Sequence, residues 1–303
     1  MRLPPLPTIT EIIKLYRLSA KAQLSQNFLL DMNLTDKMVR CAGDLSDKFA
    51  CEVGCGPGSL TRSILHAGVK QVVGVEKDHR FIPSLELLAN ASNGRFIVKH
   101  DDILKFDIEA AFPLVQKRAW EDDSQLCLIG NLPFNVSIPL LLQWLRAMPI
   151  RHGPFSFGRS TMTLTFQKEV AERITAPPNH SQRSRLSVMV QHLCDVKWVF
   201  DLPSSVFVPR PKVNAAVLHF VPLVVPVLDV PFDILEIVVK SVFNFRRKII
   251  SKGARLLFPE SPDLVSNLFS MSDINPQLRA QQLTLEQWGR LCTAYAQLRK
   301  DLM

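Results

Sequence analysis

The chain has 303 residues, 47% of them hydrophobic and 21% charged, a composition that supports about two packed domains and excludes a disordered or collagen-like chain. No apolar run approaches the roughly 20 residues of a membrane-spanning helix. Thirty-six Lys and Arg against 28 Asp and Glu give a net charge of +8, which favours a polyanionic partner, nucleic acid first among them, without requiring one.

The first 28 residues carry Arg2, Lys14, Arg17 and Lys21 against a single acid, Glu11, with Ile9, Ile12, Ile13 and Tyr16 on one helical face. That pattern fits an organelle import signal. Composition alone favours the alternative, a docked first helix, because Thr8 and Glu11 have capping-box spacing behind Pro7. From about residue 34 to 200, runs of β-formers alternate with amphipathic segments of helix length. Strands are expected at 49–53, 71–76, 95–99, 126–130, 162–166, 196–200 and 215–220, with helices through Leu60, Ile64 and Leu65 and through 81–88. Such alternation predicts a parallel sheet with helices on both faces. Pro222, Pro226 and Pro231 then break the pattern, and apolar spacing through Ile234, Ile237, Val238 and Phe243 predicts helices beyond Phe232. The expected organisation is an N-terminal segment 1–28, an α/β domain 29–228 and a helical domain 229–303. The six cysteines, at 41, 51, 55, 127, 194 and 292, form no CxxC pair and the seven histidines no HxxxH spacing. They are therefore expected as reduced core residues, with no metal site.

Chemistry enters at Glu52-Val53-Gly54-Cys55-Gly56-Pro57-Gly58, between a strand and a helix. Three of the chain's 12 glycines fall within five positions, as in a loop whose backbone approaches a ligand, or in a strand-to-helix turn that needs small residues. A dinucleotide fingerprint would need glycine at 59, which is Ser59, and Pro57 removes a backbone donor from any phosphate cradle. Glu76 closes the next strand 22 residues after Gly54, where a carboxylate can accept hydrogen bonds from a ribose. A nucleoside cofactor without pyrophosphate suits the pair, and S-adenosylmethionine is one. Asp101 and Asp102 follow the third strand and can receive an adenine amine. Asn131-Leu132-Pro133-Phe134 then follows the strand 126–130, at the strand ends where open α/β sheets bind ligands. The Asn131 carboxamide oxygen and a nearby main-chain carbonyl can accept from an exocyclic base amine as it becomes nucleophilic, and Phe134 can stack on the base. The competing reading makes Phe134 core and Asn131 a helix cap. Between Glu236 and Glu260 stand Lys240, Arg246, Arg247, Lys248, Lys252 and Arg255 with no acid, a strip for phosphates or simply a solvated face.

These residues, with Gln26-Asn27-Phe28-Leu29, Phe207-Val208-Pro209-Arg210-Pro211 and Phe245-Arg246-Arg247-Lys248, resemble the ribosomal RNA adenine N6,N6-dimethyltransferases over nearly the whole chain. The opening 2–8 and the stretch Thr163 to Arg173 resemble the mitochondrial members most. The resemblance implies a Rossmann-like, S-adenosylmethionine-dependent methyltransferase sheet followed by a smaller helical RNA-binding domain. It implies that Asn27, Leu29, Gly54, Gly56, Glu76, Lys77, Asp102, Ile103 and Asn131 hold S-adenosylmethionine, and that Asn131 to Phe134 form the catalytic motif. Phe134 and Phe207 would clamp the target base, unless Phe207 is an ordinary buried phenylalanine. The implied substrate is a pair of neighbouring adenines in the 3′-terminal hairpin of mitochondrial small-subunit ribosomal RNA, in the matrix, during assembly of that subunit. The resemblance favours import for the N-terminal segment. Cys55 and Ser59 depart from the proline and glycine common there, and leave the three glycines intact. Two rival readings stay open: a non-catalytic transcription or ribosome-assembly factor on the same fold, and a methyltransferase of large-subunit RNA.

Overall fold

The computed structural model describes residues 3–20 and 26–300; Arg2 and Lys21 of the N-terminal segment lie outside them. Nine strands are described: β1 Phe28–Leu29, β2 Phe49–Val53, β3 Gln71–Glu76, β4 Phe96–His100, β5 Asp123–Gly130, β6 Arg159–Gln167, β7 Cys194–Leu202, β8 Phe207–Val208 and β9 Ala215–Pro222. The helices are α1 Ile9–Leu15, α2 Met32–Cys41, α3 Ser59–His66, α4 Ile82–Ala91, α5 Ile108–Ala111, α6 Phe134–Ala147, α7 Lys168–Thr175, α8 Arg185–Leu193, α9 Phe232–Phe243, α10 Ile250–Ala254, α11 Leu264–Ser272 and α12 Leu285–Lys300.

Seven strands form one sheet in the order β4-β3-β2-β5-β6-β9-β7. β2 is buried at all five positions, as a strand covered on both faces must be, which is why Phe49, Ala50, Cys51 and Val53 read as a continuous apolar run broken only by Glu52. The pairs from β4 to β6 are parallel, but β9 runs antiparallel to β6. The sheet is therefore mixed, not parallel throughout as expected. The link between β7 and β9 supplies a short 3-10 turn, Ser204–Val206, and β8, and no crossover helix of the kind that joins parallel strands. β5, β6 and β7 also begin before their expected starts; Asp123 and Arg159, at the extended ends of β5 and β6, pair at 2.8 Å, a signal invisible to hydrophobic alternation.

The chain divides into two compact units. One runs to Ala171 and resumes at Val196–Val224; the other takes Glu172–Asp195 and continues from Val225. The second unit thus includes a segment before the expected boundary at 228. Its core gathers Val188 from α8 with Leu235, Val238, Val239 and Val242 of α9 and Leu291, Cys292 and Leu298 of α12. The buried face of α9 lies one step round from the expected one, since Ile237 is 36% exposed. In the first unit, α1 opens with the capping box of Thr8 and Glu11. Ile9 and Ile12 are buried, so this helix has a docked face. All six cysteines are free and all but Cys41 are buried; burial pushes the Cys127 thiol up to about 12, which keeps it protonated and inert. No helix among the described residues is long and apolar enough to cross a membrane.

Candidate active site

A pocket opens at the carboxyl ends of β2, β3 and β5, and all nine residues expected at the cofactor line it: Asn27, Leu29, Gly54, Gly56, Glu76, Lys77, Asp102, Ile103 and Asn131. Local geometry explains the glycines. Gly56 has φ +51°, and a Cβ there would meet the Phe28 ring at 3.2 Å; Gly54 has φ +73°. Both conformations are costly for any other residue.

Glu76 ends β3 with its carboxylate buried, accepting from the Gly56 and Asp78 backbone N–H groups, each at 2.8 Å. Burial raises its pKa, and the two N–H groups oppose that rise without overcoming it. The carboxylate therefore has a fixed orientation and unused lone pairs. Lys77 reaches across the rim to Asp102, 2.8 Å away. That hydrogen bond, with a second from the Leu104 N–H, holds the Asp102 carboxyl below its usual range. The lining thus presents Glu76, Asp101 and Asp102 against one ammonium that is already paired. Such a set suits a cationic nucleoside and repels a pyrophosphate.

Asn131 is held from both ends. Its Nδ2 donates to the Asn27 carbonyl at 3.0 Å, and its Oδ1 accepts from the Thr165 hydroxyl at 3.0 Å. A carbonyl can only accept, so the contact with Asn27 fixes which way the amide faces. Pro133, at the N-cap of α6, gives its carbonyl to the Val136 and Ser137 N–H groups, so that carbonyl is already used. The Leu132 side chain is buried. Phe134 is half-buried and packed against the core, and neither it nor Leu132 lines the pocket, whose wall here is Asn131, Pro133, Asn135 and Val136.

The structure does not bring Phe207 to the pocket. It is 2% exposed, sits in the hydrophobic core and pairs with Leu29 through the β1–β8 ladder. The buried reading describes its position, and its contribution is to hold β1 where Asn27 and Leu29 meet the site. Two residues essential to the geometry were missed from sequence. Thr165 lies in an alternating strand, within the stretch from Thr163 that carries part of the resemblance but gives its hydroxyl no role. Asp78 is buried, and Arg80 and Gln26 hydrogen-bond to it; burial alone would raise its pKa, but these partners hold it well below the carboxylate range. Its only sequence signal is its place two residues after Glu76.

A family model described as ribosomal RNA adenine dimethylase matches residues 17–297. The chain belongs to the ribosomal RNA adenine dimethylase family. As a member it is a methyltransferase enzyme, with an α/β methyltransferase fold. Among similar members, the Homo sapiens protein named dimethyladenosine transferase 1, mitochondrial, is 53% identical over 98% of this chain and 87% of its own length. Its Xenopus tropicalis counterpart is 52% identical over the same shares. A Caenorhabditis elegans protein of that name is 41% identical over 97% of this chain and 82% of its own. Two solved structures share the fold. A dimethyladenosine transferase from Plasmodium falciparum has a TM-score of 0.67 at 21% identity, covering 88% of this chain and 96% of that one. The 23S rRNA methyltransferase ErmE has a TM-score of 0.63 at 22% identity, covering 89% and 100%. The basic strip of this dimethylase-family chain lies in the second unit. Lys240, Arg247, Lys248, Lys252 and Arg255 are exposed, Arg246 is half-buried, and among the described residues none of the six is ion-paired.

Proposed function

We propose that this enzyme transfers methyl groups from S-adenosylmethionine to the N6 amines of two adjacent adenines in the 3′-terminal hairpin of mitochondrial small-subunit ribosomal RNA, in the matrix, during assembly of that subunit. The observation that carries the reading is the doubly anchored Asn131 carboxamide on the lip of a pocket that also holds Glu76. The mitochondrial names of relatives at 52% and 53% identity support the compartment and the RNA.

The lining fits the cofactor. Glu76 accepts from the ribose diol, Ile103 packs on the adenine, Asp102 accepts its amine, and Asn27, Leu29 and Gly54 surround the methionine end. Lys77 contributes by neutralising Asp102 at the rim. When bound, S-adenosylmethionine supplies an electrophilic methyl on a sulfonium. The chain's own residues do the rest. An adenine amine is a weak nucleophile because its lone pair is delocalised into the ring. The remaining lone pair of Asn131 Oδ1 and the Leu132 carbonyl accept its two N–H groups, favour the pyramidal form, and stabilise the positive charge that grows on nitrogen. Phe134 stacks on the extruded base. The proton leaves to water, so positioning and electrostatics supply the catalysis.

The test is single-turnover transfer to the isolated hairpin with S-adenosylmethionine saturating. Asn131→Ala is expected to lower the rate about 10² to 10³-fold, the usual cost of one preorganised polar group, with RNA affinity little changed. Near wild-type rates would remove Asn131 from catalysis, and absence of transfer to the hairpin by the wild-type enzyme would remove the substrate.

A further inference from the structure

The second unit contains a guanidinium that the reading above does not use. Arg183, in the loop before α8, is 0% exposed. Its Nη1 donates to the Ala176 carbonyl at 2.8 Å and to Gln191 Oε1 at 3.1 Å. Gln191 is itself anchored, donating to the Ile174 and Ala176 carbonyls, so the guanidinium plane is fixed. Nε and Nη2 have no hydrogen-bond partner at all. Those two nitrogens form one edge of the guanidinium, the edge that grips two oxygens of a single phosphate or carboxylate. A buried fork without an acceptor leaves a desolvated charge uncompensated unless something fills it.

The surroundings fit an anion better than an internal acid. From Arg173 to Cys194 the sequence contains no Asp or Glu, and from Ile237 to Pro259 it again contains none. The fold brings these two acid-free stretches together, because Arg246 Nη2 donates to the Ser181 carbonyl, two residues before Arg183. Arg246 Nε also lacks a partner, as does the hydroxyl of Ser184, the N-cap of the nine-residue α8. The loop thus collects a buried guanidinium fork, a second guanidinium with an unused N–H, the N-cap hydroxyl of Ser184 and the positive end of a helix, and among the described residues neither guanidinium is ion-paired. Ser181 and Arg185, on either side of Arg183, are exposed, so the fork lies close beneath the surface. Burial lowers the Arg183 pKa to about 10, which leaves it charged at neutral pH.

We infer that the loop His180–Ser184 and Arg246 form a binding site for one backbone phosphate of the substrate RNA, with the Nε/Nη2 edge of Arg183 as its bidentate donor. The inference rests on the RNA-substrate reading and extends the RNA interface from the basic strip to a loop that carries no basic run of its own. Occupation requires the loop to yield slightly, so phosphate and loop closure are coupled.

Inorganic phosphate is the probe for the first arm, titrated into the full chain at constant ionic strength with chloride as the balancing ion and with no RNA or cofactor present. Amide hydrogen exchange across 180–187 is expected to slow with phosphate in the wild type. In Arg183→Lys, which keeps the charge but loses the fork, it should not respond. The second arm measures hairpin affinity against salt. Arg183→Lys is expected to weaken binding about tenfold and to reduce the salt slope by about one, with S-adenosylmethionine affinity unchanged as the check that the chain is folded. Arg246→Ala gives a second variant, on the other wall, should Arg183→Lys lose structure. Phosphate-independent exchange in the wild type would show a guanidinium solvated by buried water and overturn the site. A phosphate response with unaltered RNA affinity and slope in both variants would overturn its assignment to RNA. The first arm involves neither RNA nor methyl transfer, so it stands or falls separately from the proposed reaction.

Discussion

Thr165 and Asn27 leave the Asn131 carboxamide one orientation, which is what the proposed transfer requires of it. A free carboxamide would flip to satisfy whichever neighbour was nearest and present its NH₂ to the base amine as often as its oxygen. Thr165→Val keeps the shape of the strand residue and removes only the hydroxyl. The lost hydrogen bond is worth about 1 to 1.5 kcal/mol, so the single-turnover rate should fall about tenfold, with S-adenosylmethionine affinity and thermal stability nearly unchanged. An unaltered rate would mean that the Asn27 carbonyl alone orients the amide. The glycine loop was legible because its signal is local, and Glu76 because it closes the next strand at a fixed spacing after that loop. Thr165 was not, because its significance arises only where β6 lies beside β5 and a hydroxyl from one strand meets an amide from the loop after the other.

At the scale of elements, the sequence foretells what periodicity encodes and misses what pairing decides. The apolar runs of β2 and β3 mark two interior strands of the sheet, and the turn after each strand carries the pocket. The antiparallel course of β9 is set by a connection too irregular to classify from pattern alone. Phe207 illustrates the same limit, since the two-stranded ladder of β1 and β8 turns a candidate clamp into a core residue. The strip from α9 to α10 is different: five of its six basic side chains are exposed and Arg246 is half-buried, an arrangement that both the phosphate-strip and the solvated-face readings allow. Arg247 and Lys248 stand in the turn between these helices, both exposed. Replacing both by Gln should weaken hairpin binding and flatten the dependence of log affinity on log salt by up to about two units, near 0.7 to 0.9 per phosphate contact. Cofactor affinity should not move. A slope equal to that of the wild type would return these two residues to the solvated surface.

Across the whole molecule the two compact units carry buried groups whose titrations oppose each other. Glu52, next to last in β2, is 0% exposed, and the Thr61 and Cys55 side chains only partly offset the cost of burying its charge. Burial, with a smaller push from the Glu76 charge, raises its carboxyl to about 7. Between its ordinary 4.5 and 7 the folded chain keeps a proton that the unfolded chain has released. Stability of the first unit therefore falls as pH rises through that window, by up to about 3 kcal/mol, and levels off above it. His192, in α8, stacks on Phe232 and accepts from the Leu228 N–H through Nδ1. Burial lowers it to about 4. Between 6.5 and 4 the unfolded chain binds a proton that the folded chain refuses, so the second unit loses stability as pH falls through that window, again by up to about 3 kcal/mol. Hydrogen exchange separates the two. From pH 5 to 7.5, after correction for intrinsic exchange rates, protection of β2 and β3 amides should decrease while protection of α8 and α9 amides increases. Glu52→Gln removes the ionisable group yet fills the same space, and should level the first trend only. His192→Gln should level the second only. Parallel pH profiles in both sets of amides, unaffected by either substitution, would show that neither buried group governs the stability of its unit.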